Sequence, residues 1–315
     1  MMHIILYPRI LRYPSECLAR LRLMAQIIEI HDTSHIPSLD QSLEHISIVF
    51  TELGYIYDRS LLEKMPSLKY LCSNTTTTPH IDSDFCRFKH IEVLSLEHQQ
   101  EFLHTITPVA EHTFGLLIAL QRNYYRAFNS VFIDKEWDRY QLGGRKMLSR
   151  QTLGIIGLGR IGSRVKIIAE AFGMNTICCD PLLAGDNNTK LDFLLENADA
   201  ITLHCGLNST SANLLSTREF SKMHKKPYII NTSRPEVINE QALCEALTSH
   251  QISGAALDCL INEHNPSFLL TAYNPLIELQ TLGFNILVTP HIGGSTQDAW
   301  DETKTFICDR LLQLI

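Results

Sequence analysis

The sequence predicts an α/β protein built from two doubly wound parallel-sheet units. Three observations carry that reading. The chain has 315 residues, 45% hydrophobic and 19% charged, enough to bury two cores of ordinary size. Short apolar runs alternate with stretches of helical period through its first hundred residues, the rhythm of successive βαβ crossovers. The same alternation restarts near residue 150 at a glycine-rich turn.

In the first unit strands are expected at "HIILYP", "IIEIH", "ISIVFT", "KYLCS" and "IEVLSL", short runs rich in β-branched and aromatic residues. "SECLARLRLMA" and "RSLLEKM" carry apolar residues at helical spacing and serve as connections. "PVAEHTFGLLIALQRNYYRAFNSVF" predicts one long helix opened by Pro108, a residue suited to the first helical turn. Beyond "LGGRKMLSRQ" the strands are "TLGIIGLG", "NTICCD", "AITLHC", "YIINTS", "ISGAALDCL" and "ILVTPHI". No tandem repeat or low-complexity tract interrupts the pattern.

Composition narrows the function classes. A net charge of -7, from 27 Lys+Arg against 34 Asp+Glu, gives no basic footprint for a phosphate backbone, so nucleic acid is not an expected partner. No stretch reaches 18 uncharged apolar residues, and the opening "MMHIILYPRILRYPSE" is interrupted by Pro8 and Arg9, so neither a membrane span nor secretion is expected. The 9 cysteines form no C-x-x-C pair and read as reduced thiols of a cytoplasmic protein. The 14 histidines lack metal-ligand spacing, so no metal is expected.

Gly157, Gly159 and Gly162 form G-x-G-x-x-G between the apolar strand "LGII" and the helix "RIGSRVKIIAEAF". The first glycine permits the tight turn, the second lets backbone approach a pyrophosphate, and the third lets helix and strand pack closely. The helix start then offers free N–H groups and a positive dipole end to phosphates. Asp180 follows the next strand, 23 residues after Gly157, where a carboxylate can accept hydrogen bonds from a ribose and would repel a 2′-phosphate; NAD is therefore expected over NADP. Three later loops leave strands at the same edge. "INTSRPEV" carries Arg234, "GAALDCLINEH" carries Asp258 and Glu263, and "VTPHIGGST" carries His291. Taken singly, each is also what a solvated loop or a structural turn supplies. Together, after a dinucleotide turn, they make an anion clamp, a proton donor and a carboxylate to orient it.

"LGIIGLGRIG", "NTSR", "GAALD" with its following Glu263, and "TPHIGG" stand here in the order and approximate spacing of the D-isomer-specific 2-hydroxyacid dehydrogenases. The chain resembles that family over more than two thirds of its length, from about "LKYLCSNTTTTPHID" to "TPHIGGST". The resemblance implies a Rossmann cofactor domain inserted into a flavodoxin-like substrate domain, with residues 102–289 forming the insertion and 1–101 with 290–315 the substrate domain. It implies NAD as cofactor and a small 2-oxo or D-2-hydroxy acid as substrate. His291 is similar to the general acid, Glu263 to its partner, and Arg234 to the residue that binds the substrate carboxylate and carbonyl. Cofactor contact is implied for Gly157, Gly159, Arg160, Ile161, Gly162, Asp180, His204, Thr232 and Asp258, the last at the nicotinamide carboxamide. Thr76 and Thr77 align with the loop whose backbone N–H groups hold the substrate carboxylate. A homodimer paired through the cofactor domain, by the helix after Pro108, is also implied.

Several positions differ from the family pattern. Thr75 and Thr77 replace frequent glycines, Gly206 and Asn208 alter a cofactor-side loop, and Cys259, Leu260 and Ile261 replace a more polar run. Pro235 follows Arg234 in place of glycine, which removes an N–H and favours an extended Arg234. Two alternatives stay open. One is a phosphoglycerate-dehydrogenase-like enzyme, although "NTTTTPH" adds no basic residue for a phosphate and no regulatory domain is expected after Ile315. The other is an NAD-responsive corepressor-type binding protein, for which extra partner-binding tails are not expected.

Overall fold

A computed structural model of the chain describes residues 3–8, 14–30, 36, 43–52, 55–182, 189–263 and 274–315. The chain divides into two compact units, the first holding Met1–Ile106 and Thr296–Ile315, the second Thr107–Glu263 and the segment running to Ser295.

The first unit contains strands β1 (His3–Pro8), β2 (Ala25–Ile30), β3 (Ile48–Phe50), β4 (Tyr70–Cys72) and β5 (Glu92–Leu94), with helices α1 (Ser15–Met24), α2 (Arg59–Leu62), α3 (Ser83–Phe88) and α4 (Gln100–Leu103) among the connections. The strands are parallel in the order β2-β1-β3-β4-β5, the flavodoxin-like arrangement. Each predicted strand forms: β1 has the expected bounds, β2 begins two residues earlier, at Ala25, and β3, β4 and β5 are shorter than expected; His31, at the end of "IIEIH", lies outside the described residues. Alternation along β3 shows why both faces are covered. Ile48 and Phe50 pack with Cys17 and Leu21 of α1, while Val49 packs with Leu61, Leu62 and Phe85 from α2 and α3. Side chains of a strand point to opposite faces, so a run of buried residues needs helices on both.

In the second unit, helices α5 (Pro108–Gln121) and α6 (Tyr124–Asn129) precede β6 (Thr152–Ile156), α7 (Arg160–Ala171), β7 (Asn175–Cys179), α8 (Leu191–Asn197) and β8 (Ala200–Leu203). Then come α9 (Thr217–Ser221), β9 (Tyr228–Asn231), α10 (Glu240–Thr248), β10 (Gly254–Leu257), α11 (Pro275–Thr281) and β11 (Ile286–Val288). The sheet is parallel in the order β11-β10-β9-β8-β6-β7. Ile229, Ala255 and Leu257 face α8, α9 and α10; Ile230 and Ala256 face α5 and α7. Strand order reverses at β6, and a ligand crevice opens outside the carboxyl ends of strands at such a point. The chain ends with α12 (Gln297–Leu312), whose Ile307, Cys308 and Leu311 are buried in the first unit's core. Among the described residues no helix is long and apolar enough to cross a membrane.

The single helix expected from Pro108 to Phe132 is broken. α5 ends at Gln121, Asn123 adopts a left-handed conformation at φ 50°, and α6 passes into a π turn at Ser130–Asp134. Leu116, Leu117 and Leu120 are buried, whereas Phe132 and Ile133 are each 70% exposed. The apolar seat thus ends at Gln121. Asn is one of the few residues that enters the left-handed region cheaply, which suits it to this break.

Candidate active site

Every functional residue predicted in the second unit follows the carboxyl end of a strand. Gly157 follows β6, Asp180 follows β7, His204 follows β8, Thr232 and Arg234 follow β9, Asp258 follows β10, and His291 lies beyond β11. The edge of the sheet has therefore assembled what the chain spaces over 135 residues.

At the glycine turn the three glycines do different work. Gly157 has φ 88°, and a side chain there would press on the backbone of His204 and Cys205. A side chain at Gly162 would overlap the Gly157 carbonyl oxygen, so α7 approaches the turn only without one. A Cβ at Gly159 would meet open space; that residue caps α7 at its free N–H end, where a pyrophosphate needs room and donors. The residues present fit a dinucleotide. Arg160 opens α7, and burial lowers its pKa. Asp180 Oδ2 accepts from the Leu158 N–H at 2.8 Å and Oδ1 from the Leu182 N–H at 2.9 Å, which ties β7 to the turn and holds the carboxylate in place. Ile161, in the first turn of α7, packs against the core behind the sheet. His204 also lies under the turn: its Nε2 pairs with Thr202, its Nδ1 is buried without a partner, and burial drives its pKa down to about 3. It is neutral at any ordinary pH.

The Arg234 loop is fixed by an asparagine. Asn231 is buried; its Oδ1 accepts from the N–H and hydroxyl of Ser233, and its Nδ2 donates to the Arg234 carbonyl at 2.9 Å. Arg234 is extended, φ -133° and ψ 139°, and Pro235 starts the 3-10 turn Pro235–Val237, as the X-Pro step predicts. One guanidinium nitrogen donates to the Ser233 carbonyl at 2.8 Å.

His291 and Glu263 meet directly. Nδ1 of the imidazole lies 2.5 Å from Glu263 Oε1, and Glu263 Oε2 accepts from the Leu260 N–H at 3.1 Å. With Nδ1 committed to a carboxylate, Nε2 is the nitrogen left to exchange a proton. The hydrogen bond to Glu263 raises the His291 pKa; burial opposes it, the charges of Glu263 and Asp258 add to it, and the Arg234 guanidinium opposes it. Asn262, next to Glu263, takes the left-handed φ of 64° that asparagine enters cheaply, whereas His291 itself is strained at φ 53°. Strain of this kind persists where surrounding contacts over-determine it.

Those contacts centre on Asp258, 3% exposed. Its Oδ1 accepts from the Thr289 hydroxyl at 2.6 Å and the Ile292 N–H at 2.9 Å, and its Oδ2 from the Gly293 N–H at 2.7 Å. Burial is the largest influence on its pKa and pushes it up, but the hydrogen bonds from His112, Thr289, Gly293 and Ile292 outweigh it and leave the pKa lowered. The carboxylate expected at a carboxamide is thus largely spent on the His291 loop. Sequence reading missed two residues of α5 that reach this edge. His112 Nε2 lies 3.1 Å from Thr289 Oγ1 and 3.3 Å from Asp258 Oδ1. Thr113 gives its proton to the Val109 carbonyl, so the Thr232 hydroxyl, 3.0 Å away, donates to it. With its proton given, the Thr232 hydroxyl can otherwise only accept.

In the first unit, Thr76 and Thr77 lie on the loop after β4. The Thr75 hydroxyl donates to the Thr77 carbonyl at 2.7 Å and accepts from Ser73 at 2.8 Å. None of Thr75, Thr76 and Thr77 is among the left-handed residues, so the loop closes without the family's glycines by bonding to itself.

A parallel sheet with a glycine turn at its switch point, an acidic residue just after the next strand and a carboxylate-paired histidine at the same edge is the arrangement of a dinucleotide-binding α/β protein. Comparison with known proteins narrows this. Residues 114–293 match the model "D-isomer specific 2-hydroxyacid dehydrogenase, NAD binding domain". A D-3-phosphoglycerate dehydrogenase of Synechocystis is 37% identical over 65% of this chain and 36% of its own length, and that of Methanocaldococcus jannaschii is 31% identical over 87% of this chain and 51% of its own. The chain thus spans about half or less of the length of these two relatives. The crystal structure of an Aquifex aeolicus D-lactate dehydrogenase, complexed with NAD and lactic acid, superposes with a TM-score of 0.81 over 98% of this chain and 95% of that one, at 26% identity. The chain belongs to the D-isomer-specific 2-hydroxyacid dehydrogenase family. Its cofactor is NAD.

Proposed function

We propose that this protein interconverts a small 2-oxo acid and the corresponding D-2-hydroxy acid. The observation that carries the reading is the 2.5 Å contact between His291 Nδ1 and Glu263 Oε1, at the sheet edge that also bears the dinucleotide turn. Gly157, Gly159, Arg160, Ile161 and Gly162 receive the pyrophosphate, Asp180 the adenosine ribose, and His204, Thr232 and Asp258 flank the nicotinamide end. NADH, when bound, supplies the hydride. Arg234 holds the substrate carboxylate and carbonyl oxygen through its planar fork and stabilises negative charge on that oxygen. The backbone N–H groups of Thr76 and Thr77 hold the carboxylate. His291 gives a proton from Nε2 to the carbonyl oxygen and takes it back in the reverse direction, while Glu263 keeps the imidazolium oriented.

The test follows NADH absorbance against pyruvate, glyoxylate, hydroxypyruvate, phenylpyruvate, branched-chain 2-oxo acids and 2-oxoglutarate. Oxidation with one of them, giving the D product, is expected; silence across the set with NADH still bound overturns the reading. A second reading, oxidation of 3-phospho-D-glycerate, is favoured by the names of the two relatives and is tested by adding that acid with NAD to the set. The protein also works as a homodimer. α5, the helix expected to pair the subunits, is mostly buried, and the exposed apolar surface lies just beyond it: Phe132 70%, Trp137 91% and Tyr140 85% exposed. Three large apolar side chains left so exposed within nine residues favour a second copy of the chain as their cover.

A further inference from the structure

We propose that His112 is a positioning residue of the reaction, the tie that holds the Asp258–Thr289 pair and, through it, the loop carrying His291. The proposal rests on the dehydrogenase reading above.

Proton accounting fixes its direction. Thr289 has one hydroxyl proton and gives it to Asp258 Oδ1 at 2.6 Å. The 3.1 Å contact between Thr289 Oγ1 and His112 Nε2 therefore needs the proton on Nε2. The same N–H also faces Asp258 Oδ1 at 3.3 Å, and a carboxylate can only accept. His112 thus carries a proton on Nε2, shared between hydroxyl and carboxylate.

The origin of each donor gives this contact its consequence. Thr289, Ile292 and Gly293, three of the donors to Asp258, come from the segment that carries His291. His112 comes from α5 and ties that segment to a different element. Within the segment the His291 N–H donates to the Thr289 carbonyl at 2.9 Å, and His291 holds φ 53°. Left-handed backbone is disfavoured for a residue with a Cβ, so the loop relaxes if its tethers loosen. A side chain at Gly293 would lie 2.7 Å from Asp258 Oδ2 and 3.5 Å from the His112 ring, which leaves this cluster no slack. His112 is 20% exposed at its side chain, inside the fold rather than at its surface.

The test compares His112→Leu, which removes the donor, with His112→Gln, whose amide nitrogen reaches the place of Nε2. Each is measured for kcat, KM, NADH affinity and hydrogen exchange of the amides at 289–293. His112→Leu is expected to lower kcat about a hundredfold, the scale of a misplaced catalytic group, with NADH affinity within about threefold, and to speed exchange at 289–293 about tenfold, as for a lost bond to a charged group. His112→Gln recovers most of both. Thr289→Val cuts the same route and carries the test if His112→Leu does not fold; the double variant should cost scarcely more than either single one. Unchanged kcat and exchange in His112→Leu, equal losses in the Leu and Gln variants, or additive losses in the double variant each overturn the proposal. If the wild-type protein reduces no 2-oxo acid, the functional reading fails by itself, and the exchange measurement still judges the tether.

Discussion

At the scale of single residues, the proposed chemistry turns on a histidine and its carboxylate. His291→Ala is expected to lower turnover by about two to four orders of magnitude, the usual worth of a general acid, while NADH titrated by fluorescence binds as before; near-normal turnover removes His291 from the mechanism. Glu263 raises the His291 pKa above its ordinary value of about 6.5. The proposed proton donor is therefore charged below that raised pKa, and reduction is expected to slow as pH rises through it. In Glu263→Gln the same fall should come at lower pH; a pH profile of kcat/KM that does not move would show that the glutamate does not set the titration. The residues of this pair stood out in the sequence only through the order of motifs, because no local periodicity brings groups 28 positions apart within 2.5 Å. His112 and Thr113 gave no such signal. They sit in an apolar helix, and their partners come from loops 119 to 177 positions further on.

At the scale of elements, the glycine turn separates folding from binding. Gly162→Ala meets the Gly157 carbonyl, an overpacking that costs about 1–3 kcal/mol, and should lower both Tm and NADH affinity. Gly159→Ala meets nothing within 4 Å and should keep Tm while weakening NADH at least about tenfold; a parallel fall in Tm would mean that this glycine serves the fold instead. The eleven strands of the described residues were legible because each carries a short apolar run between turn formers, and where both faces are buried, as in β3, β8, β9 and β10, little choice of structure is left. The break at Asn123 was not. No Pro or Gly marks it, and the apolar period continues through Tyr124, Phe128 and Phe132, the last of which belongs to the exposed surface assigned above to a second subunit.

At the scale of the whole molecule, that surface makes its own prediction. Trp137→Glu with Phe132→Glu should convert a dimer to a monomer by light scattering while each chain stays folded, and an unchanged mass would place the interface elsewhere. Strand and motif order could suggest association, but exposure of Trp137 becomes visible only once the helix is seen to break. The two units also differ in how their cores close. The second is complete when Ser295 has been made; the first needs Ile307, Cys308 and Leu311 of α12 beside Cys17, Leu21 and Phe50. A ribosome adding about 5–20 residues per second takes on the order of 10–40 s to cross the intervening stretch. For that time the sheet of the first unit waits with one apolar face covered by α1 without α12, so the unit begun earlier closes its core later, and its need for a chaperone falls in the interval before α12 leaves the exit tunnel.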